Sequence, residues 1–130
     1  MRSAELGQRT FVKHDNLRDR TKTFALRVIR LVESLPKSGT AKVIGHQLVR
    51  SSTSVGANYR AACRARSTAD FIAKMGIVEE ECDECVYWME LLVESDLVEE
   101  HLLQDLMNEA NELVAIAVTS IKTTRKSKGT

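Results

Sequence analysis

Apolar residues recur at alternating steps of four and three in four consecutive segments of this 130-residue chain, and that spacing leaves few alternatives to a bundle of helices. In the first segment Leu17, Thr21, Phe24, Val28, Leu31 and Leu35 stack on one face. In the second the positions are Ile44, Leu48, Ser51, Val55, Asn58 and Ala62, a stripe unusually lean in large side chains. The third runs Phe71, Met75, Val78, Cys82, Cys85, Met89 and Leu92 without one exception to the rhythm. The fourth places Leu103, Leu106, Ala110, Leu113, Ala117 and Ser120 together, flanked by Leu102, Met107, Val114 and Ile121.

Punctuation between the segments agrees with this division. Asp15 or Asn16 can cap the first helix, and Pro36 followed by Lys37-Ser38-Gly39 ends it, because proline lacks the amide proton that continues the ladder. Thr40 opens the second. Ser67-Thr68-Ala69-Asp70 is a capping sequence for the third, and Ser95-Asp96 marks that helix's end. The sequence therefore predicts helices over about 16–35, 40–64, 68–94 and 97–123. At 1.5 Å per residue they are roughly 30–40 Å long. Similar lengths and short turns favour an all-α, antiparallel, up-down-up-down four-helix bundle over residues 16–126, preceded by a polar extension, 1–15. The polar, basic end from Lys122 is expected to fray, leaving 127–130 as a tail.

Size and composition narrow the class further. The length suits one domain with one core. One proline and 43% hydrophobic residues are a helical composition. The longest apolar run, Leu113 to Val118, is far below membrane-spanning length, and the first fifteen residues do not resemble a signal peptide. Three cysteines, Cys63, Cys82 and Cys85, form no spaced framework, which fits a reducing compartment. A cytoplasmic protein with no membrane partner is expected.

Within the second segment, Ser51 to Asn58 is a poor helix by propensity, since Ser, Thr, Gly and Asn each cost some tenths of a kcal/mol or more relative to alanine. Close approach of a neighbouring helix is the simplest compensation, with Ser51, Ser54, Gly56, Ala57 and Asn58 as the packing motif.

Two stretches carry a family resemblance. Gln47-Leu48-Val49-Arg50-Ser51-Ser52-Thr53-Ser54-Val55-Gly56-Ala57-Asn58 is one; the other pairs Asp70-Phe71-Ile72-Ala73-Lys74-Met75 with Glu84-Cys85-Val86-Tyr87-Trp88-Met89-Glu90-Leu91-Leu92. In order and spacing these blocks resemble the small four-helix bundle proteins known as S23-type, or 23S rRNA intervening-sequence, proteins. The resemblance covers about Phe24 to Lys126. It implies a bacterial bundle that assembles into a homopentameric ring and has no known enzymatic activity, some members being encoded inside inserts of ribosomal RNA genes. A distantly similar bundle is accessory to a reverse transcriptase in diversity-generating retroelements, which implies RNA, DNA or a reverse-transcriptase-like protein as partners to consider.

Reactive chemistry finds little footing. Cys82 and Cys85 form a C-x-x-C, but both lie on the apolar stripe, and no second Cys or His pair completes a zinc site. The residues three before His14, His46 and His101 are Phe11, Val43 and Val98, so the Glu-x-x-His pairs of a di-iron bundle are missing. The acidic run Glu79-Glu80-Glu81-Cys82-Asp83-Glu84 points around its helix instead of converging on a cation. Neither catalytic residues nor a cofactor or metal site is expected. Tyr87-Trp88 has acidic neighbours, which suits packing at a core edge or subunit boundary better than base stacking.

Charge supplies the remaining candidate. The net charge of +1 conceals a division: residues 1–66 carry 14 Lys+Arg and 4 Asp+Glu, residues 67–130 carry 5 and 14. The basic set is Arg18, Arg20, Lys22, Arg27 and Arg30, then Arg50, Arg60, Arg64 and Arg66. These residues can meet the acidic half of another copy head to tail, with Ile29, Ile72, Val86 and Val93 adding apolar burial. They can also bind the phosphates of a nucleic acid.

Overall fold

Four helices follow the sequence rhythm in the structure, a computed structural model that describes residues 13–129, with side chains from Asn16 to Ser127. They are α1 (Lys13–Glu33), α2 (Gly39–Cys63), α3 (Thr68–Glu94) and α4 (Glu100–Gly129), and the described residues contain no strand. The expected extension, 1–15, lies outside the described residues except for 13–15, which already belong to α1. Asp15 and Asn16 are therefore inside that helix and not its cap.

Each boundary has a local cause. At the end of α1 the amides of Ser34 and Leu35 turn to the carbonyls of Leu31 and Val32, a tightened last turn ahead of Pro36. Ser38, one residue before the helix and two before Thr40, caps α2 by accepting from the Ala41 amide at 3.2 Å. Ser67 caps α3 as its sequence predicts, accepting from Asp70 at 3.0 Å.

The largest departure lies between α3 and α4. Asp96 adopts φ 64°, its amide bonds to Val93 O, and the Leu97 amide reaches back to Leu92 O, which is a Schellman closure with aspartate in the left-handed position. Leu97 and Val98 then pack against the core, so α4 starts at Glu100 and not at residue 97. At its far end α4 continues to Gly129 instead of fraying near Lys122. Ile121 is buried there, and the cations Lys122, Arg125 and Lys126 suit the carbonyl end of a helix.

Consecutive helices pack on one another, α1 closes on α4 only lightly, and among the described residues the diagonal pairs α1–α3 and α2–α4 make no close backbone approach. A Cβ placed at Gly45 would meet Val32 and Leu35, and one at Gly56 would meet Thr21, so α1 and α2 run antiparallel with a fixed register. The core joins Phe24 and Val28 to Leu48, Val55, Met75, Cys82, Cys85, Met89, Leu92, Leu103 and Leu113. Two positions shift by one residue: Tyr59 enters the core beside the half-buried Asn58, and Ile121 does so beside Ser120. In each case a polar side chain gives up the core position to a larger, less polar neighbour one step around the helix.

Candidate functional site

Helix order converts the division of charge along the chain into a division across the bundle. The basic helices α1 and α2 are neighbours, α3 is strongly acidic, and α4 carries its carboxylates in its first half and its cations toward its far end. Between helices, opposite charges pair among the described residues at the seams α2–α3 and α4–α1, and within α3 Lys74 pairs with Asp70. Each seam is closed by one arginine. Arg20 forks onto Glu109 of α4 through Nε (3.0 Å) and Nη2 (2.7 Å), with Glu112 at 3.1 Å. Two parallel bonds to one carboxylate suit the guanidinium plane.

At the other seam Arg50 of α2 contacts Glu81 at 3.3 Å and pairs with Glu84 of α3. Glu84 Oε1 also accepts from the buried Ser51 hydroxyl at 3.0 Å and from Trp88 Nε1 at 3.2 Å. Partial desolvation works against the Glu84 charge, but the bonds from Trp88 and Ser51 and the charge of Arg50 together hold its pKa below the ordinary carboxylate value. Little in the sequence except the Glu84–Trp88 spacing of four signals this cluster, because Arg50 and Ser51 of α2 meet Glu84 only across helices.

Seven of the nine basic candidates stay outside these seams. Arg18, Lys22, Arg30, Arg60, Arg64 and Arg66 are exposed and Arg27 is half-buried. The contact of Gly56 with Thr21 sets their arrangement: Arg60 lies one turn beyond Gly56 and Arg18 one turn before Thr21. In antiparallel helices those steps run the same way, so Arg18 and Arg60 share a level of the α1–α2 side. Neither forms an ion pair among the described residues.

The small-residue block divides between two neighbours. Gly56 faces α1, where its missing Cβ would stand 3.3 Å from Thr21 Oγ1. Ser51 faces α3, and Asn58 Nδ2 donates to Ser54 at 2.9 Å within α2. Ala57 is exposed. Hydroxyls of Ser52 and Thr53 bond back to the Val49 carbonyl, satisfying polar groups that propensity counts against a helix.

Cys82 and Cys85 are buried free thiols, and burial foremost, then nearby carboxylates or the other thiol, pushes both pKa values up, that of Cys82 to about 12. Such thiols are poor nucleophiles at neutral pH. No three His, Cys, Asp or Glu converge as metal ligands among the described residues, and none of the described helices is long and apolar enough to cross a membrane. Tyr87 is 52% exposed, with its ring edge-on to Trp88 at 5.0 Å.

Two grooves open on the surface. One of about 980 Å³ lies where α1 and α4 pack least, walled by Leu17, Tyr59, Phe71 and Ile116 with Arg20 at its edge. The other, of about 520 Å³, runs along α3 and α4 over Gly76, between Ile72, Ile77 and Val118, with Glu79 and Glu80 at its rim.

Comparisons with known proteins point one way. The family model described as 23S rRNA-intervening sequence protein matches residues 15–119. A crystal structure from Bacteroides thetaiotaomicron, described as a protein with unknown function from the S23 ribosomal protein family, is 33% identical and superposes with a TM-score of 0.79, covering 85% of this chain and 99% of that one. No curated protein matches the chain.

Proposed function

Because the chain belongs to the 23S rRNA-intervening sequence protein family, we propose that it is a non-enzymatic homo-oligomer, a pentameric ring, with an adaptor or nucleic-acid-associated role in the cytoplasm. One observation carries the assembly reading. After Arg20 and Arg50 are paired at the seams, α1 and α2 still present cations, and α3 still presents carboxylates such as Glu79, Glu80 and Asp83, that form no ion pair among the described residues, on different sides of one bundle. Two unlike, complementary surfaces on each copy favour a head-to-tail contact, which closes into a ring when the rotation permits. The count of five follows from the family resemblance, and sedimentation velocity measures it directly. A protein that sediments as monomer at tens of micromolar would end this reading.

A second reading concerns nucleic acid. Arg18, Lys22, Arg60 and Arg64 lie on the α1–α2 side with no carboxylate bound to them, an arrangement suited to phosphates of RNA or DNA. Repetition around a ring multiplies such contacts. Mobility shift against structured RNA and duplex DNA tests this: retention that falls steeply with salt and is lost in Arg18→Glu/Arg60→Glu supports it. Absence of retention at low salt favours instead a module whose partners are proteins only, a reverse-transcriptase-like protein among them.

A further inference from the structure

Exposed apolar side chains sit on the outer face of α1 where a one-domain core has no use for them. Leu26 is 42% and Ile29 36% exposed, and Lys22 and Arg30 flank them on the same face. Steps of four and three, from Lys22 to Leu26 to Ile29, make this a second stripe on α1, turned away from the one that holds Phe24 and Val28. Across the bundle, the outer face of α3 is the counterpart. Gly76 leaves open space above the helix, with no atom within 4 Å of where a Cβ would stand, in the groove of about 520 Å³ between Ile72, Ile77 and Val118. Glu79 and Glu80 rim that groove, Asp83 follows one turn on, and none of the three forms an ion pair among the described residues.

We propose that the outer stripe of α1 in one copy docks into the α3–α4 groove of the next copy, with Leu26 and Ile29 over Gly76 and with Lys22 and Arg30 against Glu79, Glu80 and Asp83. This deepens the assembly reading and rests on it. Apolar ridge meets apolar groove, and Lys22 and Arg30 meet the α3 carboxylates, while Glu33, next on the stripe, is the one acidic position between Lys22 and the end of α1 on that face. A glycine beneath an approaching helix is the arrangement that lets two backbones come close. Because α1 and α3 are diagonal in the bundle, each copy can use its stripe and its groove at once, so the contact propagates from copy to copy. Lys122 and Arg125 on the α4 wall of the same groove repel the basic stripe if it shifts toward α4, which holds the docked helix on the α3 side.

Two surface variants test the contact without touching the core. Gly76→Leu fills the groove, and Leu26→Asp breaks the ridge; circular dichroism and thermal melting verify that each still folds. Sedimentation of each variant alone should show self-association weakened by about tenfold or more relative to the unmodified protein, as expected when a central apolar contact is lost. Mixed one to one, the two variants should form a dimer that grows no further, because the intact stripe of Gly76→Leu meets the intact groove of Leu26→Asp and both other faces are blocked. Folded variants that assemble like the unmodified protein would overturn the docking contact while leaving assembly standing. Variants that dissociate but give no capped dimer on mixing would overturn the head-to-tail pairing of these two faces. An unmodified protein that is itself monomeric would remove the assembly reading and this contact with it.

Discussion

Glu84 illustrates how one carboxylate can tie two helices through three kinds of donor: a guanidinium, a hydroxyl and an indole. Its lowered pKa has a consequence of definite sign. A group ionised more readily in the folded state stabilises that state above its unfolded pKa, near the ordinary 4.5, and loses the contribution as pH falls through the lower folded value. Thermal melts between pH 6 and pH 3 should therefore fall more steeply for the unmodified protein than for Glu84→Gln; parallel curves would show that the cluster carries no net ionic stabilisation. The cysteines give a second test at the same scale. Cys63 is exposed, whereas burial raises the pKa of Cys82 and Cys85. A thiol reagent at pH 8 should label one cysteine quickly in the folded protein and the remaining two only after denaturation.

Among whole elements, Gly56 of α2 and Gly76 of α3 behave oppositely although both sit inside helices. A Cβ at Gly56 already presses on Thr21 Oγ1 at 3.3 Å, and the rest of a leucine has the α1 backbone in contact behind it, so Gly56→Leu should destabilise the bundle by about 1–3 kcal/mol, the usual size of overpacking. A Cβ at Gly76 meets open space, and Gly76→Ala should stabilise by about 0.5–1 kcal/mol through the loss of backbone freedom in the unfolded chain. Urea denaturation of both variants checks the pair of signs. Ser67 and the seven-position rhythm of α3 were plain in the sequence because a cap and a stripe are local patterns. The late start of α4 was not, since a Schellman closure at Asp96 usually advertises itself by glycine, and here aspartate takes the left-handed conformation.

For the molecule as a whole, the arrangement of charge has a measurable signature. Raising salt from about 0.1 M to about 1 M shortens the screening length from ~10 to ~3 Å, so assembly guided by opposed faces should slow and weaken. Apolar burial beneath those charges is less screened, and association should decline without vanishing. Sedimentation across that salt range separates the two contributions. An increase in association with salt would mean that apolar contact dominates and that the opposed charges do not guide the subunits.

The four helices, most of the core and the buried place of Cys82 and Cys85 were legible along the chain, because periodicity and capping act among residues a few positions apart; Tyr59 and Ile121 entered the core one step off the stripe. The sequence also carried the separation of basic from acidic halves. Only tertiary structure decided which charges were spent internally: Arg20 and Arg50 face carboxylates dozens of residues away, while Arg18 and Arg60 do not. It likewise decided that Gly56 is a contact and Gly76 an opening. The physical reason is common to both. A helix declares its own faces, but what stands opposite each face depends on the register between helices, and packing across the core sets that register.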